Sequence, residues 1–385
     1  MFNLQLIFPY KAIKSIYFCY SFDDPSTSYA DDSPDTKAVQ HDHSYVDLRT
    51  CEEKLDDATR RIEYLEGILE KRDLEVFGVQ RITSDPQLLN FYTGFSDYET
   101  FQAAFRSIEP NAETMIRWGQ VQRHKEIQSE LQGDVFRNES LPLLDQFFLF
   151  LCRVKVGLFE QDLAVRFNVS LSTVSRIFIT WANFLYFALG SLLIWPPQSV
   201  IQQQMPECFK ITYPKTRVIL DCTEVKVQTP SSKVLNSESY SNYKSHATFK
   251  GLVGITPSGS VSFVSVLYTG SISDKEITKK AGILDLLEKG DEVMVDKGFP
   301  IHDMLQEIGC TLVIPPFLRD KGQFEAHEVS STHQIARLRI HIERAIRRVK
   351  EFHIFDGVIP LSLAGSINQV WTVCCLLTNF RGPLY

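Results

Sequence analysis

The sequence predicts an α/β domain, a mixed sheet flanked by helices, filling roughly the second half of the chain behind an all-α region and a short coiled coil. Three observations predict it. From Arg217 onward, short apolar runs rich in Val and Ile alternate with amphipathic helical patterns. Between residues 85 and 200 the apolar residues recur at helical spacing. Residues 48–69 place apolar side chains in steps of three and four. At 385 residues the chain exceeds what one compact core usually spans, and two or three domains are expected.

The opening MFNLQLIFPYKAIKSIYFCY is apolar but interrupted by Pro9, Lys11 and Lys14. It lacks a basic start followed by a small-residue cleavage site, so it does not read as a signal peptide. No run reaches the roughly 20 apolar residues a membrane span needs. Residues 21–45 are rich in Asp, Ser and Pro, and 1–45 is expected to be disordered. Segment 46–76 follows as the coiled-coil helix, with Leu48, Cys51, Leu55, Ala58, Ile62, Leu65 and Leu69 forming the seam. That seam suits a homodimer, or equally an amphipathic helix packed on its own domain.

Residues 85–200 read as a helical region. Within it, about 141–185, LPLLDQFFLFLCRVKV is one helix, EQDLAVRF a second, and LSTVSRIFITWANFL a third after the turn NVS. Ser170 is placed to cap the third helix. Leu163, Ala164, Val169, Val174 and Ile177 are spaced to bury the angle between the last two. This is the pattern of a helix-turn-helix whose second helix can enter the major groove, with Thr173, Ser175 and Arg176 on its opening turns. An αα-corner without DNA contact has the same pattern.

In the last domain, 210–385, RVILD is a strand ending in Asp221. FKGLVGIT and SVSFVSVLY form a hairpin around Pro-Ser-Gly. SDKEITKKAGILDLLEKG reads as a helix capped by Ser273 and closed by Gly290. EVMVD is a strand ending in Asp296, TLVIPP another strand, and STHQIARLRIHIERAIRRVKEF a long helix carrying Glu343. Ligands in α/β sheets bind outside the carboxyl ends of strands. An acid buried there needs compensation, for which a divalent cation is suited. Glu343 could reach the same place, or serve as an i,i+4 node with Arg339 and Arg347.

Net charge is −7, but it is uneven. The first 100 residues hold 10 Lys and Arg against 19 Asp and Glu, whereas residues 201–385 hold 21 against 19. The acidity belongs to the N-terminal quarter and does not exclude a nucleic-acid partner for the rest. The eight cysteines form no Cys-x-x-Cys pair, so free thiols in a reducing compartment, nucleus or cytoplasm, are expected.

From about 217 to the end, the chain closely resembles the DDE-superfamily endonucleases of PIF/Harbinger-type transposons, in the branch related to THAP-domain proteins. The matching blocks, in family order, are VILDCTE (218–224), YSNYKSHATFKGLVGITPSGSVSFVS (240–265), TGSISDKEIT (269–278), VMVDKGF (293–299), IARLRIHIERAIRRVKEFHIF (335–355) and CLLTNFRGPL (375–384). The helix-turn-helix and FYTGFSDYETF resemble blocks upstream of that nuclease. The sequence departs from the family at Lys297, where Arg or Ser is usual before Gly298, and at Arg347, where Gly is usual. No zinc-binding THAP pattern stands at the N-terminus.

The resemblance implies a ribonuclease-H-like fold and a transposase-derived DNA endonuclease and strand-transfer activity. Asp221, Asp296 and Glu343 would be its catalytic acids and its ligands to Mg²⁺ or Mn²⁺, two ions in all. Asp274 is a secondary acid candidate. Lys244 and Lys250 on the strand side, and Arg339, Arg344, Arg347, Arg348 and Lys350 on the late helix, are the expected phosphate partners. Tyr240 and Tyr243 could stack on extruded bases or simply pack on the hairpin. DNA, as transposon ends or related sites, is the expected partner, with an accessory DNA-binding protein a further candidate. The rival readings are a non-catalytic DNA-binding protein and an interaction partner of another DNA-binding subunit.

Overall fold

The computed structural model describes residues 50–75, 77–118, 141–192, 194–296, 298–314, 326–382 and 384. The expected disordered segment 1–45 lies outside them, as do Leu48, the side chain of Leu69 and Lys297. The chain divides into two units, 1–72 and 73–385.

Helix α1 (Cys51–Glu75) starts at a capping box formed by Thr50 and Glu53. Glu53 N donates to Thr50 Oγ1 at 3.2 Å, and Thr50 N donates to Glu53 Oε2 at 2.8 Å. Of its seam, Leu55, Ile62 and Leu65 are open to solvent on this chain.

The second unit begins with helices α2 (Val79–Ile82), α3 (Pro86–Thr93), α4 (Tyr98–Ala112), α5 (Leu143–Val156), α6 (Glu160–Arg166), α7 (Leu171–Gly190), α8 (Gln198–Gln204) and α9 (Glu207–Thr212). Asp85 caps α3 through Gln87 N and Leu88 N, Asp97 caps α4 through Thr100 N, and Ser170 caps α7 through Thr173 N. Rings fill the space between these helices: Phe101 stacks on Phe147, and Phe147 meets Trp181.

The sheet comprises β1 (Thr216–Lys226), β2 (Tyr240–Ser241), β3 (His246–Ile255), β4 (Val261–Val264), β5 (Tyr268–Thr269), β6 (Glu292–Met294) and β7 (Thr311–Val313). Its order is β2-β3-β1-β6-β7, with β4 and β5 also on β3. β1 pairs antiparallel with β3 and parallel with β6, and β6 pairs parallel with β7. Helices α10 (Lys233–Ser239), α11 (Asp274–Lys280), α12 (His302–Glu307), α13 (Ala326–Lys350) and α14 (Ile367–Leu377) complete the domain. This mixed sheet flanked by helices is the ribonuclease-H-like architecture, as the sequence predicts. Two details differ. The helix expected over 273–290 stops at Ala281, because Gly282 turns left-handed at φ 79° and a 3-10 turn follows. The buried helix α14 is additional.

Side chains alternate across the sheet and build a core on each face. One face packs Val218, Leu220 and Val293 against Ile277, Ile283 and Leu305. The other packs Ile219, Val253 and Met294 against α13 and α14. Gly251 in β3 has no room for a side chain, since a Cβ there would sit 2.9 Å from the Trp371 ring. A fully buried pair, Arg217–Asp291 at 3.6 Å, ties the start of β1 to the approach to β6, and the guanidinium lies over the Trp195 ring.

The helical part is packed onto the sheet domain, with α7 lying along α14. Gly157 ends α5 in the left-handed conformation, where a Cβ would approach the His353 carbonyl oxygen to 3.1 Å. Next to it, buried Lys155 donates to the Glu351 carbonyl at 2.9 Å and lies 5.8 Å from the Phe352 ring. Burial pushes its ammonium below the usual lysine range, with Arg381 adding to the effect. Among the described residues, no helix is long and apolar enough to cross a membrane. The seven described cysteines are all free, and Cys152, Cys310, Cys374 and Cys375 are buried.

Lys155→Ala removes the donor that satisfies the Glu351 carbonyl at this junction. The expected cost is about 1–3 kcal/mol, read as a lower urea midpoint with an unchanged slope. An unmoved midpoint would show that the junction contributes nothing to stability.

Candidate active site

The register of β1 against β6 assembles the site. Ile219 lies opposite Met294 in the parallel pair, and both belong to the core on the α13 side. Because side chains repeat every two residues along a strand, Asp221 and Asp296 fall on that same face, each two residues beyond the paired position. Helix α13 crosses this face. Leu338, Ile342, Ala345 and Val349 are buried beneath it, which leaves Arg339 and Glu343, four residues apart, beside the strand ends.

Arg339 links the acids. Its Nη1 lies 3.0 Å from Asp296 Oδ1 and its Nη2 3.8 Å from Glu343 Oε1. The Arg339 side chain is 11% exposed, whereas those of Asp296 and Glu343 are 53% and 61% exposed. The basic group therefore lies below and the acids above it. Asp221 is more enclosed, and its Oδ1 accepts from Cys222 N at 2.8 Å. Burial pushes the Asp221 carboxyl up to about 6; the Cys222 N–H and Arg339 oppose that rise, and Asp296 and Asp274 add to it. Asp274, the first residue of α11, pairs with Lys250 Nζ at 2.6 Å. Burial alone would lower the Lys250 ammonium, but Asp274 outweighs it and the net shift is upward.

The expected phosphate partners divide by environment. Lys244, Arg347 and Lys350 are exposed. Partial burial and the neighbouring Lys244 hold the Lys350 ammonium below its ordinary range, while Asp221 and Glu224 act the other way, so two lysines stand beside the acids. Lys250 and Arg339, in contrast, are committed to Asp274 and to Asp296 with Glu343. Arg344 and Arg348 donate to the Leu384 and Gly382 carbonyls at 3.4 and 2.5 Å. Sequence spacing marks all of these as cations on one helix or hairpin; only tertiary contact separates the exposed from the enclosed, and even Arg347 lies 4.0 Å from Glu351. Tyr243 is exposed beside Lys244, and Tyr240 lines a polar hollow of about 400 Å³ with Asn236 and Asn242.

On the helical part, Asn168 supplies the turn in the left-handed conformation, φ 51°. The first turn of α7 exposes Leu171, Ser172 and Arg176, while the rest of the helix is largely buried. Arg176 Nε donates to the Ser172 carbonyl at 3.0 Å. Thr173 Oγ1 bonds Ser170 Oγ at 2.8 Å, and Ser175 lines a cavity of about 390 Å³ together with Phe159, Pro360 and Leu363.

The site's donors are all carboxylate oxygens, the chemistry a hard divalent cation takes. Asp221's burial leaves negative charge that the protein offsets incompletely. In kind, the residues fit such an ion. As they stand, no three His, Cys, Asp or Glu side chains among the described residues are grouped closely enough to hold one, and Asp296 and Glu343 face Arg339 instead.

Asp221 therefore works against the fold at neutral pH. Its folded pKa is raised above the unfolded value of 3.8, so stability present below 3.8 is lost as pH rises through about 6. Asp221→Asn is expected to be more stable than the parent at pH 7.5 by on the order of 2–3 kcal/mol. The advantage should shrink towards zero near pH 4, as read by thermal melts in a metal-chelating buffer. A gain independent of pH would contradict the assignment to this carboxyl.

Two family models match the chain. Residues 220–379 match the DDE superfamily endonuclease family, and residues 139–191 match the helix-turn-helix of DDE superfamily endonuclease. No curated protein and no solved structure matches it. The first match spans the sheet from Leu220 through α14, with all four acids. The second spans α5, α6 and α7. Residues 220–379 thus form a domain of the DDE superfamily endonuclease family, with the helix-turn-helix of that family ahead of it at 139–191.

Proposed function

We propose that the protein is a transposase-type, divalent-metal-dependent endonuclease that cuts DNA phosphodiesters and transfers the resulting strand ends. The observation that carries this reading is the shared face of Asp221 and Asp296, fixed by the β1–β6 register, with Glu343 joined to Asp296 through Arg339. Asp221, Asp296 and Glu343 would hold Mg²⁺ or Mn²⁺, which supplies the positive charge that activates an attacking oxygen and stabilises a leaving one. Around them Lys244 and Lys350 take the phosphates on either side of the scissile bond, where their paired charge offsets that of the backbone. Asp274 serves the site at one remove, by holding Lys250. Partial enclosure of Asp221 lowers the local dielectric and strengthens each of these interactions.

The exposed first turn of α7 takes the DNA duplex, with Arg176 on a phosphate or base edge. A second copy of the chain is the partner suggested by the open Leu55, Ile62 and Leu65 stripe of α1. DNA as substrate places the protein in the nucleus.

Nicking of supercoiled plasmid by the full chain tests the reading. Cleavage should require Mg²⁺ or Mn²⁺, cease with chelator, and fall by on the order of 10³-fold in Asp296→Ala, with circular dichroism checking that the variant folds. Cleavage surviving in Asp296→Ala would refute the assignment. DNA binding with no metal-dependent cleavage in the parent would favour a purely DNA-binding protein.

Arg176→Ala is expected to weaken duplex binding and to flatten the salt dependence by about one unit of slope. An unchanged slope in a titration followed by fluorescence anisotropy would remove α7 from the interface.

A further inference from the structure

Resting on the metal-dependent reading above, the geometry points to Arg339 as a resident counter-cation of the acidic site: its guanidinium binds Asp296 and Glu343 on the oxygens that a divalent ion would take, so metal and Arg339 compete for the same carboxylates. Arg339 is thus a positioning residue that holds the acids together while the site is without metal and sets how readily metal enters.

Exposure separates this from an ordinary surface ion pair, in which both partners are solvated and the net effect is small. Here the cation is 11% exposed beneath acids that are 53% and 61% exposed. Arg339 Nε is buried without a hydrogen-bond partner, so these carboxylates are what meets the charge of the enclosed group. The two contacts are also unequal. Nη1–Asp296 at 3.0 Å is a close pair, and Nη2–Glu343 at 3.8 Å is a loose one. Glu343, more exposed and more weakly held, is the carboxylate that can leave first. Arginine keeps its proton throughout the accessible pH range, so the pair cannot be released by titration of the base. It yields only when a competing cation draws the carboxylates away or the side chain moves.

The consequence is a measurable competition. Mn²⁺ binding to the full chain at pH 7.5, followed by calorimetry, is compared among the parent, Arg339→Gln and Arg339→Lys. Glutamine removes the charge and keeps most of the bulk; it should tighten Mn²⁺ binding about tenfold, the scale expected for deleting one competing charge next to a partly buried acid. Lysine keeps a charge but lacks the fork that spans two carboxylates, and should bind Mn²⁺ more tightly than the parent but less tightly than glutamine. Should Arg339→Gln fail to fold, tighter binding by Arg339→Lys carries the same test. A parent that binds Mn²⁺ with variants of equal or weaker affinity overturns the inference alone. A parent that binds no Mn²⁺ overturns the metal-dependent reading along with it.

Discussion

Like-charged carboxylates brought to one face of an apolar sheet repel one another, the more strongly the less they are solvated. The arrangement of this nuclease domain answers that constraint. Asp221 and Asp296 come to one face because β1 and β6 are parallel neighbours in a fixed register. Glu343 is carried there by a helix whose apolar side is committed to the same sheet. Each acid beyond the first comes with nearby basic charge: Lys250 for Asp274, Arg339 for Asp296 and Glu343. Asp221 has Arg339 and Lys350 near it without an ion pair among the described residues, and burial pushes its carboxyl up to about 6.

Around this cluster, polar anchors buried elsewhere keep the scaffold rigid. Arg217 and Asp291 join the start of β1 to the segment that enters β6, the two strands whose register matters. A buried pair of this kind adds little net stability over an apolar replacement, but breaking it is expensive, which favours one register over its neighbours. Lys155 and Gly157 act similarly between α5 and the end of α13. The helix-turn-helix is consequently not a head on a flexible tether; α7 lies against α14 and exposes its opening turns, with Phe187 open to solvent near its far end. DNA held by those opening turns would be held in a fixed relation to the acids.

Much of this was legible in the sequence, where local chemistry decided it. RVILD and EVMVD read as strands because their apolar runs are short and β-branched, although β1 runs past Asp221 to Lys226, and Ser170 reads as a cap because its hydroxyl meets Thr173 N. The architecture and the helix-turn-helix followed from element order and from the family blocks. What escaped was tertiary. Arg339 sits four residues before Glu343 in a basic helix, and on sequence alone it is a phosphate partner or an i,i+4 node; its contact with Asp296, 43 residues earlier, is tertiary. Lys250 alternates with apolar neighbours as any surface lysine would, and only α11 brings Asp274 to it. Helix α14, INQVWTVCCLL, is apolar on nearly every side because it is buried by both α7 and the sheet. It therefore lacks the polar face that would mark a helix.

The choice of cation at each acid follows from the same geometry. Lys250 serves one carboxylate, and a compact ammonium at 2.6 Å suffices. Arg339 must serve two, and only a planar fork can direct one nitrogen to Asp296 and another to Glu343. A lysine there would leave one acid to its neighbours' repulsion. The fork also fixes the spacing of the acids, whereas an ammonium would let them close on a single point. The residue that makes the cluster tolerable in the folded chain is thus also the one that keeps its oxygens apart. On the proposed metal-dependent reading, a divalent ion would replace one cation by another at the same carboxylates.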